Sequence, residues 1–255
     1  MDFSQYGFPY PRNLIVSFIG GSEAHGAKVG TADDTDWYGL FIEPPEKALG
    51  LDGYPHFVTS TGGKEGGNGP DDVDVCLYSL RKWAGLAAKG NPSCLHFLFA
   101  PPKFIHPIWR RFTADPSVFL SRHHVKPFLG FADDQMKRLL GEKGQKNIHR
   151  ADLEKQHGYD TKYAMHVIRL YGEAKELMED GRITLPRPNK DELIAIRRGK
   201  YKLSEIKELG TQLQAEALRS SENSQLPAQI DRQRISQMVA EAYKEFWATQ
   251  EQASF

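Results

Sequence analysis

At 255 residues the chain is long enough for one large domain or two small ones with an ample core. Lys plus Arg and Asp plus Glu are equal at 33 each, so no overall basic field exists to hold long nucleic acid by its phosphates, and any such contact must come from a local patch. Two cysteines, Cys76 and Cys94, are too few and too far apart for a zinc knuckle or a disulfide framework; both are expected as buried thiols of a reducing compartment.

The run Leu14 to Ile19 is a short apolar strand, and Gly20-Gly21-Ser22 ends it where the chain turns tightly into a helix. Asp34-Thr35-Asp36 then opens a second strand over Trp37 to Ile42. Side chains at i and i+2 of a strand share a face, so Asp34 and Asp36 project together. An Asp-x-Asp pair standing alone would read as a solvated turn. Here it follows a strand and a Gly-Gly-Ser turn, and a third carboxylate, Asp74 of Val73-Asp74-Val75, can complete an anionic cluster that suits hard divalent cations. A further strand is expected over His56 to Thr59, and the glycine-dense stretch 61–70 makes it one arm of a hairpin whose other arm carries Asp74. Gly63-Lys64-Glu65 lacks the spacing and the Ser or Thr of a phosphate loop.

Ser79 is placed to cap a helix with Leu80, Trp83, Ala84 and Ala87 on one face, closed by Gly90 before Asn91-Pro92. From about residue 127 the periodicity is helical, with segments expected at 127–140, 160–178, 190–197, 204–218 and 231–247, and a polar linker at Ser220 to Ser224. No secretory signal and no apolar run of membrane-spanning length is found, so the expected location is the cytoplasm, without a membrane partner.

The pattern Gly21-Ser22, Ala24-His25-Gly26, Asp34-Thr35-Asp36 and Gly39 resembles the DNA polymerase beta-type nucleotidyltransferase superfamily. The runs Asp74 to Trp83 and Lys89-Gly90-Asn91-Pro92, with Gly158 to Lys162, His166, Arg169 and Leu170, are similar to its branch of predicted nucleotidyltransferases associated with RNA repair. Two positions depart from the usual pattern: Asp33 stands where a Ser is expected, and His96 where a Glu is often found. The extra acid leaves the register of the pair open to Asp33, but strand alternation favours Asp34 with Asp36.

The resemblance implies an α/β (α+β) fold: a polymerase beta-like catalytic domain with a mixed sheet over residues 1–125, and a helical domain over 126–255 contributing to nucleotide or acceptor binding. It implies transfer of a nucleoside monophosphate from a nucleoside triphosphate such as ATP to a hydroxyl, with an RNA or tRNA end as acceptor; a protein or small-molecule hydroxyl stays open. A nucleotide-sensing or RNA-binding module without turnover is the competing reading, and retention of all the acids argues against it. Mg²⁺ or Mn²⁺ would be held by Asp34, Asp36 and Asp74, the catalytic carboxylates, with Asp74 serving the ion that activates the acceptor hydroxyl. Gly21 and Ser22 would hold the β- and γ-phosphates.

Lys162, His166, Arg169 and Glu173 form one stripe of a helix, with Met165, Ile168 and Tyr171 among the residues of its other side. Such a stripe is either a solvated face or a nucleotide-facing one, in which Lys162 and Arg169 neutralise phosphate charge and His166 donates a hydrogen bond. His123, His124, His149 and His157 show no metal-ligand spacing and are expected as solvated or capping residues.

Overall fold

The computed structural model describes residues 2–29, 34–62, 71–143 and 151–252. Asp33, most of the glycine-dense stretch and His149 lie outside them. A five-stranded mixed sheet is built from β1 (Leu14–Ile19), β2 (Thr35–Phe41), β3 (His56–Ser60), β4 (Val73–Ser79) and β5 (Phe104–Ile105), in the order β3-β4-β2-β1-β5. β2 and β4 are parallel and the other pairings are antiparallel. The expected hairpin is β3 with β4.

Strand alternation sorts the side chains to two faces. Phe41, Val75 and Leu77, with Trp37 and Phe57 beside them, pack against Phe3 and Phe8 of the N-terminal segment. Neighbours one residue away point to the opposite face, where Val16, Phe18 and Leu40 join the main core. The register sets Ser60, Asp74 and Asp36 in one row across β3, β4 and β2, and Val58, Cys76, Tyr38 and Phe18 in the next row. Asp36 and Asp74 thus stand side by side on the face that the helices cover.

The short helices α1 (Gly21–Ala24) and α2 (Pro45–Leu49) flank β2, and α3 (Leu80–Ala87) follows β4 directly. Ser79 Oγ accepts from the Lys82 amide at 3.2 Å, the expected cap, and Leu80, Trp83, Ala84 and Ala87 are buried as expected. Next come α4 (Pro92–Leu95), α5 (Pro107–Thr113), α6 (Val125–Leu139) and α7 (Ala151–His157). The chain then forms α8 (Thr161–Asp180), α9 (Lys190–Arg197), α10 (Leu203–Asn223) and α11 (Arg232–Gln252). Helix α8 is packed by α6, α9 and α10, and one continuous core links these helices to β1 and β2.

Two expectations need correction. Residues 220–223 are the last turn of α10, not a linker, because Ser220 Oγ donates to Glu179 Oε1 at 2.7 Å and the helix continues along α8. Cys76 is half-buried: its side chain lies on the open half of the sheet face, beside exposed Val58. Of the expected alternatives for His124 the structure favours capping: the ring is buried against Gly90, where a Cβ would come within 2.7 Å of it, and it hydrogen-bonds the Ala88 backbone at the end of α3. No helix of the described residues is long and apolar enough to cross a membrane.

Candidate active site

The carboxylates of Asp34, Asp36 and Asp74 come together, each offering an oxygen within 4.8 Å of the others. Asp36 and Asp74 are register partners on parallel strands, and Asp34 immediately precedes β2. All three are half-buried, so their mutual repulsion is incompletely screened. The donor set is all oxygen, as Mg²⁺ or Mn²⁺ requires.

The Gly20-Gly21 turn is shaped around these acids. Gly21 has φ +55°, and a Cβ there would lie 1.8 Å from Asp36 Oδ2. A Cβ on Gly20 would enter the Tyr38 ring at 2.3 Å, and the Gly20 amide donates to the Asp36 carbonyl at 2.8 Å. The missing side chain of Gly21 therefore makes room first for the Asp36 carboxylate. Burial, then the charge of Asp36, pushes the Tyr38 hydroxyl far above its ordinary value, so it stays protonated beside the acids.

A cavity of about 290 Å³ gathers most of the sequence-predicted residues: Gly21, Ser22, Asp34 and Asp36 on one side, and Lys162, His166 and Arg169 of α8 on the other. Asp74 lines a second cavity, of about 410 Å³, together with Asp36, Tyr38, Val58, Ser60 and Cys76. The two cavities meet at Asp36 and Tyr38. Asp160 positions the α8 side, since its Oδ1 accepts from the Lys162 and Tyr163 amides at 2.9 and 3.1 Å and so starts the helix there.

The α8 stripe is not a solvated face. Glu173 is fully buried and Arg169 only 9% exposed. Arg169 Nη1 donates to both Glu173 oxygens at 2.9 Å. His96 Nε2 lies 3.1 Å from Glu173 Oε2, and His25 Nδ1 lies 3.4 Å from Oε1, close but outside hydrogen-bond geometry. Both histidines line the cavity. Burial, then the charge of Arg169, holds the His25 ring well below the usual histidine range, so it is neutral near pH 7. Burial works to raise the Glu173 carboxyl, but Arg169 and the histidines outweigh it and hold it well below the usual carboxylate range.

Sequence reasoning gave no role to His25, His96 or Glu173. His25 stood inside the Ala24-His25-Gly26 motif, His96 was noted as a departure, and the i, i+4 spacing of Arg169 and Glu173 was the available signal for a paired, buried carboxylate.

Residues 5–252 match the family described as RlaP, RNA repair pathway DNA polymerase beta family. The chain belongs to that family. A stretch of 149 residues is 27% identical to the uncharacterized 38.9 kDa protein in the nrdC-mobD intergenic region of Enterobacteria phage T4, covering 56% of this chain and 43% of that protein. The chain thus spans less than half the length of that relative. The crystal structure of a nucleotidyltransferase-like protein from Exiguobacterium sibiricum is similar over 87% of this chain and 72% of its own, at 9% identity and a TM-score of 0.32.

Proposed function

We propose that this family member transfers a nucleoside monophosphate from a nucleoside triphosphate to a hydroxyl group, with Mg²⁺ (or Mn²⁺) as cofactor and an RNA or tRNA end as acceptor. The observation that carries the reading is the position of the carboxylates. Asp34, Asp36 and Asp74 converge where two cavities meet, one bordered by the cations Lys162 and Arg169 and the other holding Asp74.

Asp34 and Asp36 would hold divalent ions jointly, with Asp74 completing the site on the acceptor side. When bound, such ions stabilise the charge that builds on the attacking and leaving oxygens of an in-line displacement. Ser22, Lys162, His166 and Arg169 bind and orient the triphosphate from the first cavity. Gly21 leaves the space in which Asp36 stands. The acceptor hydroxyl approaches from the second cavity, and Asp74 is within the cluster that would take its proton. A bond forms from that oxygen to the α-phosphorus, the bond to the β-phosphate oxygen breaks, and pyrophosphate leaves toward the cations.

In this reading residues 1–125 supply the catalytic carboxylates, and residues 126–255 supply the cationic wall through α8. RNA repair in the family description favours an RNA acceptor, and the balanced charge of the chain confines that contact to a local surface. The test is incubation with each α-phosphate-labelled nucleoside triphosphate, Mg²⁺ and total RNA. Label in RNA supports the reading, label on protein or a small molecule redirects the acceptor, and nucleotide binding without any transfer supports a sensing module instead.

A further inference from the structure

We propose that Glu173 is a positioning residue that assembles Arg169, His25 and His96 into one wall for the terminal phosphates of the bound nucleotide. The proposal rests on the nucleotide-binding reading above and assigns it a subsite. Three separate segments converge on this single buried carboxylate: Arg169 from one turn earlier in α8, His25 from the end of α1, and His96 from the end of α4. All three partners line the cavity that also holds Asp34, Asp36 and Lys162, whereas Glu173 stands behind them with no exposure of its own.

The arrangement leaves donors uncommitted toward the cavity. Arg169 spends Nη1 on Glu173 and still lines the cavity, so another part of its guanidinium faces the space a ligand would fill. Each histidine turns one nitrogen toward Glu173 and so has its other ring nitrogen for a ligand; His96, hydrogen-bonded at 3.1 Å, presents that nitrogen in a fixed place, while His25 lies against the carboxylate at 3.4 Å without a hydrogen bond. A planar guanidinium held by one nitrogen keeps the rest of its fork for a second anion, and phosphate oxygens match that fork. The carbonyl of His25 is held in turn by the Arg187 amide at 3.1 Å, and Arg187 is paired to Glu176 of the same α8.

Two histidines and a carboxylate within 4.8 Å are also donors of the kind that hold zinc. The contact at 2.9 Å from one guanidinium nitrogen to both carboxylate oxygens disfavours that use. It takes one acceptor site on each oxygen and already supplies the neutralising charge, and a cation there would stand against the guanidinium.

The test is calorimetric titration of sodium tripolyphosphate, ATP and AMP, each with Mg²⁺, into the full chain and into Glu173→Gln, His25→Asn and His96→Asn, alongside thermal unfolding of each protein. Affinity for tripolyphosphate and ATP is expected to fall by about tenfold or more in the variants, while affinity for AMP changes less than about twofold. A purely structural role would weaken AMP and ATP alike, and that result, or tripolyphosphate affinity unchanged in the folded variants, overturns the proposal. The two histidine variants carry the test if Glu173→Gln does not fold. Wild-type protein that binds tripolyphosphate in a Glu173-dependent way but no nucleotide would keep the phosphate wall and remove the nucleotidyltransferase reading. Nucleotide binding indifferent to all three variants would do the reverse. A stoichiometric divalent metal that is lost in Glu173→Gln would replace the wall with a metal site.

Discussion

Replacing Gly21 by alanine puts the smallest possible side chain where the structure has least room. The new Cβ would stand 1.8 Å from Asp36 Oδ2 and 2.8 Å from its Cγ, on a backbone at φ +55°. Holding an L-residue in that left-handed region costs about 1–2 kcal/mol. Because a real Cβ essentially never approaches a heavy atom within 3.0 Å, the carboxylate must retreat by about 1.2 Å or the turn must shift. A displacement of about 1 Å in a catalytic group costs on the order of 10²-fold in rate. The expected result is a folded Gly21→Ala protein, destabilised by about 1–3 kcal/mol in denaturant titration, whose nucleotidyl transfer falls about a hundredfold or more. Gly85→Ala is the control, since nothing lies within 4 Å of a Cβ there; it should gain about 0.4–1 kcal/mol and keep full activity. Transfer by Gly21→Ala within about threefold of wild type would refute the claim that Asp36 must occupy that space.

Asp34→Ala, Asp36→Ala and Asp74→Ala should each abolish transfer. Without Mg²⁺ each should also raise the unfolding temperature, because removing one carboxylate from a cluster within 4.8 Å relieves about 1–3 kcal/mol of repulsion; calorimetric melting with and without Mg²⁺ checks both signs. Arg169→Ala should weaken ATP binding by about 1.5–3 kcal/mol in calorimetry and also destabilise the fold, since it leaves Glu173 buried and unneutralised. Acid should unfold the protein in two stages. His25 is held neutral in the fold, so its contribution is lost as pH falls below about 6.5, the unfolded value. Glu173 has a depressed folded value, so its contribution is full above about 4.3 and lost only as pH falls through that lower value. Melting curves from pH 8 to 3 should show the first stage flattened in His25→Asn and the second in Glu173→Gln. Iodoacetamide should modify half-buried Cys76 before Cys94, whose thiol burial pushes up to about 12, and modification should block transfer because Cys76 lines the second cavity; peptide mapping gives the order.

The sheet and its acids were legible because strand alternation is a local property. Val73-Asp74-Val75 sends its two valines to one face and Asp74 to the other whatever the rest of the chain does. The Gly20-Gly21 turn was equally visible, although sequence could not show that Asp36, rather than a ligand, sits where the side chain would be. Tertiary contacts set what was missed. Ser220 looks like a linker residue until Glu179 on another helix accepts its hydroxyl. Cys76 alternates like a buried residue, but helices do not cover that part of the sheet. The two-residue strand β5 and the seven-residue helix α7 are too short for periodicity to declare them. The convergence of His25 and His96 on Glu173 joins residues up to 148 positions apart, beyond the reach of any spacing rule.

Catalysis by the three carboxylates, with a nucleoside monophosphate passing to a hydroxyl, depends on Asp36 at the meeting of the two cavities. It is tested most directly by following the label of α-phosphate-labelled nucleoside triphosphates with Mg²⁺ and RNA, in parallel for the wild-type chain and Asp36→Ala. Label joined to the acceptor by the wild type, with pyrophosphate released, and none joined by the variant, is the expected result. Label that stays in the triphosphate, or transfer undiminished in Asp36→Ala, would contradict it.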